Sequence, residues 1–271
     1  MEIKNILITI CIVILLYIVI RYITTDINTL SGLQAATTMQ TVSAKSLAKG
    51  SSGANTSNFT YSIWFYINDW NYRYGESKIV YGRMSSPSTT AGASSTSSSS
   101  SIPGIPGVDP CPAVVLTPIQ NNVSIYLACF PGGDAGGATG ATASDDTPGP
   151  SGSVIHTCSV SNVPIQKWVN LLISAYGRTL DVYIDGKLVR TCLLPGIAKI
   201  NPNSNVYVTP SGGFDGWTSK FQYFPNSTDP QTAWNIYQAG YGQSFLSNLF
   251  GKYKIQLNVL EGTTQNTVFT I

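Results

Sequence analysis

Charged side chains are scarce in this 271-residue chain: 15 Lys and Arg stand against 13 Asp and Glu, for a formal net charge of +2. Phosphate backbones are bound by concentrated positive charge, and no dense Lys/Arg patch is present, so nucleic acid is excluded as an expected partner. Glutamate occurs only as Glu2, Glu76 and Glu261. A retaining glycanase needs two carboxylic acids about 5 Å apart across a cleft, and these three form no such cluster. Asp181 and Asp185 stand four apart, but the first reads as a cross-strand partner of Arg190 and the second as a turn residue. His156 is the sole histidine, and a lone histidine on a strand reads as structural. No serine sits in a G-x-S-x-G elbow, and no G-x-x-x-x-G-K-S/T phosphate loop occurs. The cysteines include no C-x-x-C pair, which removes the usual zinc spacing. Asp109, Asp134, Asp145, Asp146 and Asp215 lack the ligand spacing of a calcium loop. The expectation is a non-enzyme with no cofactor and no metal.

What the chain does have is β patterning. Phe59, Tyr61, Ile63, Phe65 and Ile67 alternate with Thr60, Ser62, Trp64 and Tyr66, and Ile255, Leu257 and Val259 alternate with polar residues, so both ends of the globular part read as strands. Val169, Leu171, Ile173 and Ala175 share one face of another strand, interrupted by Leu172. Asp185-Gly186 is a two-residue hairpin signal, because a type I′ turn needs positive φ at both central positions. With Ile184 opposite Lys187, the register predicts Tyr183 opposite Leu188, Val182 opposite Val189 and Asp181 opposite Arg190. Asn121-Asn122, between Ala113–Gln120 and Val123–Phe130, reads as a second hairpin turn.

Three blocks, FTYSIWFYIN from Phe59, WVNLLISAYGRTLDVYIDGKLVRTC from Trp168 and GFDGWTSKFQYFPNSTDPQTAWNIYQAG from Gly213, together resemble the concanavalin A-like, laminin G-like jelly-roll superfamily. The resemblance implies an all-β fold, an antiparallel two-sheet jelly-roll sandwich, with one short helix near 230–239. Trp234 and Tyr237, three apart on that helix, are expected to pin it onto the sandwich. Residues 162–196 and 229–242 are also similar to membrane-anchored, minor capsid-type virion proteins of large eukaryotic DNA viruses. Such sandwiches host lectins, glycanases, adhesion modules and structural proteins alike, so the fold alone does not assign a function.

Residues 6–20 (ILITICIVILLYIVI) are apolar apart from Thr9, and residues 3–23 are long enough for one transmembrane helix, about 30 Å. No small-residue cleavage site follows closely, which favours a retained single-pass anchor over a cleaved signal. Lys4 before the span and Arg21, Lys45 and Lys49 after it leave its orientation open. Residues 1–23 are therefore expected as the anchor. Residues 24–57, rich in Ser, Thr and Ala, are expected as a spacer, with a short helix around 33–47. Residues 58–271 are expected as the sandwich. Within it, 85–107 and 131–153 are low-complexity segments expected as surface loops.

Cys111, Cys129, Cys158 and Cys192 are candidate disulfide cysteines, with three connectivities for two bridges and reduced buried thiols as the alternative. Asn55, Asn58, Asn122 and Asn226 begin N-x-S/T sequons and are candidate glycosylation sites. The candidate interaction loop is Asp69, Trp70, Asn71, Tyr72, Arg73 and Tyr74, whose aromatic and arginine content suits an interface or stacking on sugar rings. The remaining aromatics read mainly as core. The expected function is a membrane-anchored structural or interaction protein at the inner membrane–capsid interface of a virion. Its expected partners are the bilayer, through residues 3–23, and neighbouring capsid or membrane proteins. A glycan-binding attachment module, with glycans as partners, is the alternative.

Overall fold

The structure is a computed structural model that describes residues 10–18, 28–48, 56–84, 109–131, 146–148, 152–242, 256–261 and 264–270. In chain order its strands are β1 (Thr29–Ser31), β2 (Gln34–Ala35), β3 (Gln40–Val42), β4 (Phe59–Asp69), β5 (Lys78–Arg83), β6 (Ala113–Leu116), β7 (Val123–Cys129) and β8 (Asp146–Pro148). They continue as β9 (Val154–Val160), β10 (Trp168–Tyr176), β11 (Thr179–Ile184), β12 (Lys187–Leu193), β13 (Val206–Val208), β14 (Asp215–Phe224), β15 (Gln256–Glu261) and β16 (Thr264–Thr270). An α-helix, α1 (Pro230–Gln238), two short 3-10 turns and a helical stretch at residues 10–18 complete the described elements.

The chain divides into two compact units, one formed by Thr29–Tyr241 and the other by Met1–Asn28 with Gly242–Ile271. The first unit consists of two antiparallel sheets. One has the order β1-β14-β4-β10-β11-β12, with β2 also on β14; the other has the order β3-β13-β5-β6-β7-β9-β8. Period-two alternation places Phe59, Ile63, Leu171, Ile173, Val182 and Phe221 on the inner face of the first sheet, all fully or almost fully buried. Val80, Val114, Ile125, Leu127, Val206 and Val208 of the second sheet join the same core. Each such residue contributes about 1.5–3 kcal/mol on burial. Ile79, Val115, Ala128 and Ile155 form another buried cluster from the alternate positions of the second sheet, which is why its strands read as unbroken apolar runs.

Several elements follow the sequence expectations closely. β4 and β10 pair directly, from Trp168 opposite Tyr66 to Ala175 opposite Phe59. Leu172, which broke the alternation of β10, packs with Tyr183 against Ala233 of α1, so the helix supplies an apolar environment on the otherwise outer face. That helix begins where expected. Pro230 occupies its first turn, and the Asp229 side chain accepts a bond from Thr232 N.

Others require correction. The Asp185-Gly186 turn sets Ile184 opposite Lys187 and Tyr183 opposite Leu188, but a bulge then places Val182 opposite Arg190 and Asp181 opposite Thr191. β12 is an edge strand that is exposed except at Cys192, so neither face holds its register and an extra residue is accommodated. The Asn121-Asn122 signal belongs to a six-residue connection, since Thr117 N bonds Asn122 O and Pro118 lacks the donor that would prolong the strand. Residues 24–57 do not all form a spacer. Residues 29–31 and 34–35 join the first sheet and 40–42 the second, and Ala36, Val42 and Leu47 enter the core. A short helix around 33–47 is replaced by these strands and a 3-10 turn at Ala44–Ala48. Residues 256–261 form a strand as expected, but it pairs with β16 in a separate two-stranded sheet rather than closing the sandwich.

Residues 10–18 are helical with exposed apolar side chains, while the rest of the expected 3–23 span lies outside the described residues. Among the described residues no helix is long and apolar enough to cross a membrane. The low-complexity segments 85–107 and 131–153 fall largely outside them as well, apart from residues 131, 146–148 and 152–153. Of these, Asp146–Pro148 is a strand on β9 rather than loop.

Candidate functional site

One end of the sandwich is built by three connections: β4–β5, β6–β7 and β9–β10. The first contains the interaction loop expected from sequence. Asp69 Oδ1 accepts from Asn71 N at 2.9 Å, and Tyr74 N bonds Asn71 O at 3.1 Å, folding the loop on itself. Trp70 is half-buried against the core, with Lys78 Nζ 4.6 Å from its ring centroid and donating to its carbonyl at 3.2 Å. Burial and the nearby Arg73 lower the Lys78 pKa from the ordinary lysine value. Tyr72 Oη donates to Gly212 O at 3.2 Å, and Arg73 pairs with Glu76 at 2.7 Å while also donating to Ser211 O. Asp69, Asn71 and Tyr74 remain exposed. The loop therefore spends most of its chemistry on holding its own shape.

Main-chain bonds tie the three connections together. Gly75 N bonds Pro118 O at 3.2 Å, Val163 N bonds Asn121 O at 2.8 Å, and Gln166 N bonds Ile67 O at 2.8 Å. Asn122 Oδ1 accepts from Asn162 N at 3.1 Å, and Asn121 Nδ2 donates to Val163 O at 3.1 Å. Between them lies an open cleft of about 590 Å³ lined by Trp70, Ile119, Gln120, Asn121, Asn122, Ser161, Asn162 and Ile165. A neighbouring cleft of about 450 Å³ shares Ser161 and Asn162 and extends to Ile184, Val189 and Arg190. The larger one has no charged lining residue. Of the loop expected from sequence it takes Trp70 alone; its other walls come from two turns, in which sequence marked Asn121-Asn122 as a hairpin signal and Asn122 as a sequon but neither as part of a binding surface.

A second notable surface lies on the outer face of the first sheet. Trp217, Tyr66 and Trp168 occupy directly opposed positions on β14, β4 and β10. Their ring centroids are 5.7 Å and 5.8 Å apart in succession. Tyr241 stacks on Trp168 at 4.5 Å, at one end of the row, and Tyr237 stacks on the buried Trp64 beside it at 5.5 Å. Trp217 and Tyr241 stay 42 % and 44 % exposed. The signal was present in the alternation of β4, which placed Trp64 and Tyr66 on the face shared with Thr60 and Ser62. It was not read as a surface.

The remaining candidates are dispersed. Cys158 on β9 and Cys192 on β12 form a disulfide that joins the two sheets. Cys111 and Cys129 are free and buried; burial pushes the Cys129 thiol up to about 12 and raises the Cys111 thiol further. Asn58 Oδ1 accepts from Gly177 N, and the Asn122 amide donates to Gln120 Oε1, so both sequons serve local structure. Asn226 is exposed, and Asn55 lies outside the described residues. Asp109 pairs with Lys199 at 3.1 Å, Asp146 meets His156 Nδ1 at 2.6 Å, and Asp215 accepts from Asn68 at 2.8 Å. Asp134 and Asp145 are outside the described residues. Asp181 accepts from Thr191, not from Arg190, and Asp185 Oδ1 accepts from Asn170 N within its turn. Among the described residues no group of three or more His, Cys, Asp or Glu could hold a metal ion.

No protein-family model and no curated protein matches this chain. Solved structures do. The binding domain of botulinum neurotoxin serotype G matches 67% of this chain at 13% identity and a TM-score of 0.41. The receptor-binding domain of the botulinum neurotoxin C/D mosaic serotype matches 68% at 11% identity and 0.44, and the binding domain of botulinum neurotoxin DC in complex with SialylT matches 76% at 12% identity and 0.46. The matches cover 36%, 36% and 40% of those chains, so this chain spans well under half their length. At this level of likeness they carry no argument about fold, ligand or partner; the sandwich is read from the sheets themselves.

Proposed function

We propose that this chain is a non-enzymatic, membrane-anchored interaction protein, a minor structural component that links membrane and capsid shell in the virion of a large DNA virus. The span at residues 3–23 fixes it in lipid, and the sandwich presents the loop end to a neighbouring protein. The observation that supports this reading is the cleft of about 590 Å³ lined by Trp70, Ile119, Ile165 and carboxamide side chains. Its walls are braced by main-chain hydrogen bonds, so a partner meets a preformed surface and little ordering entropy opposes association. An aromatic anchor within an uncharged surface is the composition of an interface centre.

Ile119→Asp tests this. Ile119 is 64% exposed, so folding stability should change by less than about 0.5 kcal/mol. Binding of the neighbour, measured by cross-linking in purified particles or native membranes, should fall by roughly tenfold or more, about 1.4 kcal/mol. An unchanged set of cross-linked neighbours would contradict the proposal. Glycan binding is the second reading, favoured by the same combination of indole and carboxamides. Its check is an array of neutral oligosaccharides, on which binding above background that disappears with Trp70→Ala would replace the protein partner with a sugar.

A further inference from the structure

We propose that the aromatic row Trp217–Tyr66–Trp168 contacts the interfacial zone of the bilayer in which the chain is anchored. This rests on the anchor proposed above. If residues 3–23 span the membrane, six steps along the chain connect Ile23 to Thr29, where β1 begins. Fully extended, they reach about 20 Å. Part of the segment expected as a spacer is instead taken up by β1, β2 and β3, so few residues separate the proposed span from the first sheet.

The strands that follow the proposed span in sequence lie at the edge beside the row. Thr29 pairs with Gln222 of β14, and Ala35 of β2 pairs with Trp217 itself. Leu33, just before β2, is 60% exposed, and Met39 is 52% exposed. Tyr241 enters at the same face, its carbonyl accepting from Ser219 Oγ of β14 at 2.8 Å. Trp and Tyr are the side chains that settle at a membrane–water boundary, with the ring body against apolar chains and the polar tip in the headgroups. Asp215, two residues before Trp217 on β14, already accepts from Asn68 Nδ2. A bilayer surface suits exposed rings and aliphatic side chains of this kind.

The five tryptophans are Trp64, Trp70, Trp168, Trp217 and Trp234, all within the sandwich and none in the anchor. The test is the full-length protein reconstituted in phosphatidylcholine vesicles whose acyl chains are brominated close to the headgroup. Tryptophan emission should be quenched, Trp217→Phe should remove most of that quenching, and Trp70→Phe should leave it intact. Resistance to alkaline carbonate extraction reports on the anchor separately. Protein that stays in the bilayer with unquenched emission, or with quenching that survives Trp217→Phe, overturns this contact and leaves the anchor standing. Protein released by carbonate overturns both.

Discussion

At Gly186 the backbone has φ +73°, and a Cβ there would lie 2.9 Å from Tyr237 Cβ and 3.2 Å from Trp234 Cα. The turn needs glycine for its dihedrals, and α1 needs it to sit against the hairpin. Gly186→Ala should therefore cost about 1–3 kcal/mol in chemical denaturation, from backbone strain and overpacking together. Titration is governed by burial at Tyr61, Tyr81 and Tyr223, whose pKa values are all raised, as are those of Cys111 and Cys129. A group whose proton is held more tightly in the fold than in the unfolded chain stabilises fully below its unfolded pKa and loses that contribution as pH rises. Stability should be level at neutral pH, begin to decline above roughly pH 8.5, where the unfolded thiols ionise, and fall further above roughly pH 10, the tyrosine range. The denaturation midpoint against pH measures this. The buried thiols of Cys111 and Cys129 should resist alkylation at neutral pH until the chain unfolds, unlike the exposed Cys11.

Among elements, the disulfide between Cys158 and Cys192 spans 34 residues and joins β9 of one sheet to β12 of the other. Replacing both cysteines with serine should cost about 2–4 kcal/mol, read from the thermal midpoint, and should loosen β12 first in hydrogen exchange. That pairing was not legible from spacing, because it depends on which strands face one another across the sandwich. The inner faces of β4 and β10 were legible, since alternation follows directly from strand geometry. Register failed past Tyr183, where an exposed edge tolerates a bulge that a buried strand would resist. Residues 29–48 were misread for a related reason. Their strands are two or three residues long, too short for periodicity to register against a Thr- and Ser-rich background.

For the whole molecule, the sandwich architecture was legible and the working surface only partly so. Trp70 was singled out from its aromatic neighbourhood, yet Ile119, Asn162 and Ile165 join it only because three connections, far apart in sequence, converge at one end. The account as a whole holds that a membrane-tethered body acts by being gripped at that end. A photoreactive amino acid at Ile119, with a second at Tyr176 as comparison, tests this in intact particles or native membranes. Tyr176 is 65% exposed and lies at the far end of β10 from the β9–β10 connection. The account predicts a discrete cross-link to one neighbouring protein from position 119 and none of that species from position 176. Equal labelling of the same proteins from both positions, or labelling of solvent alone at Ile119, would contradict it.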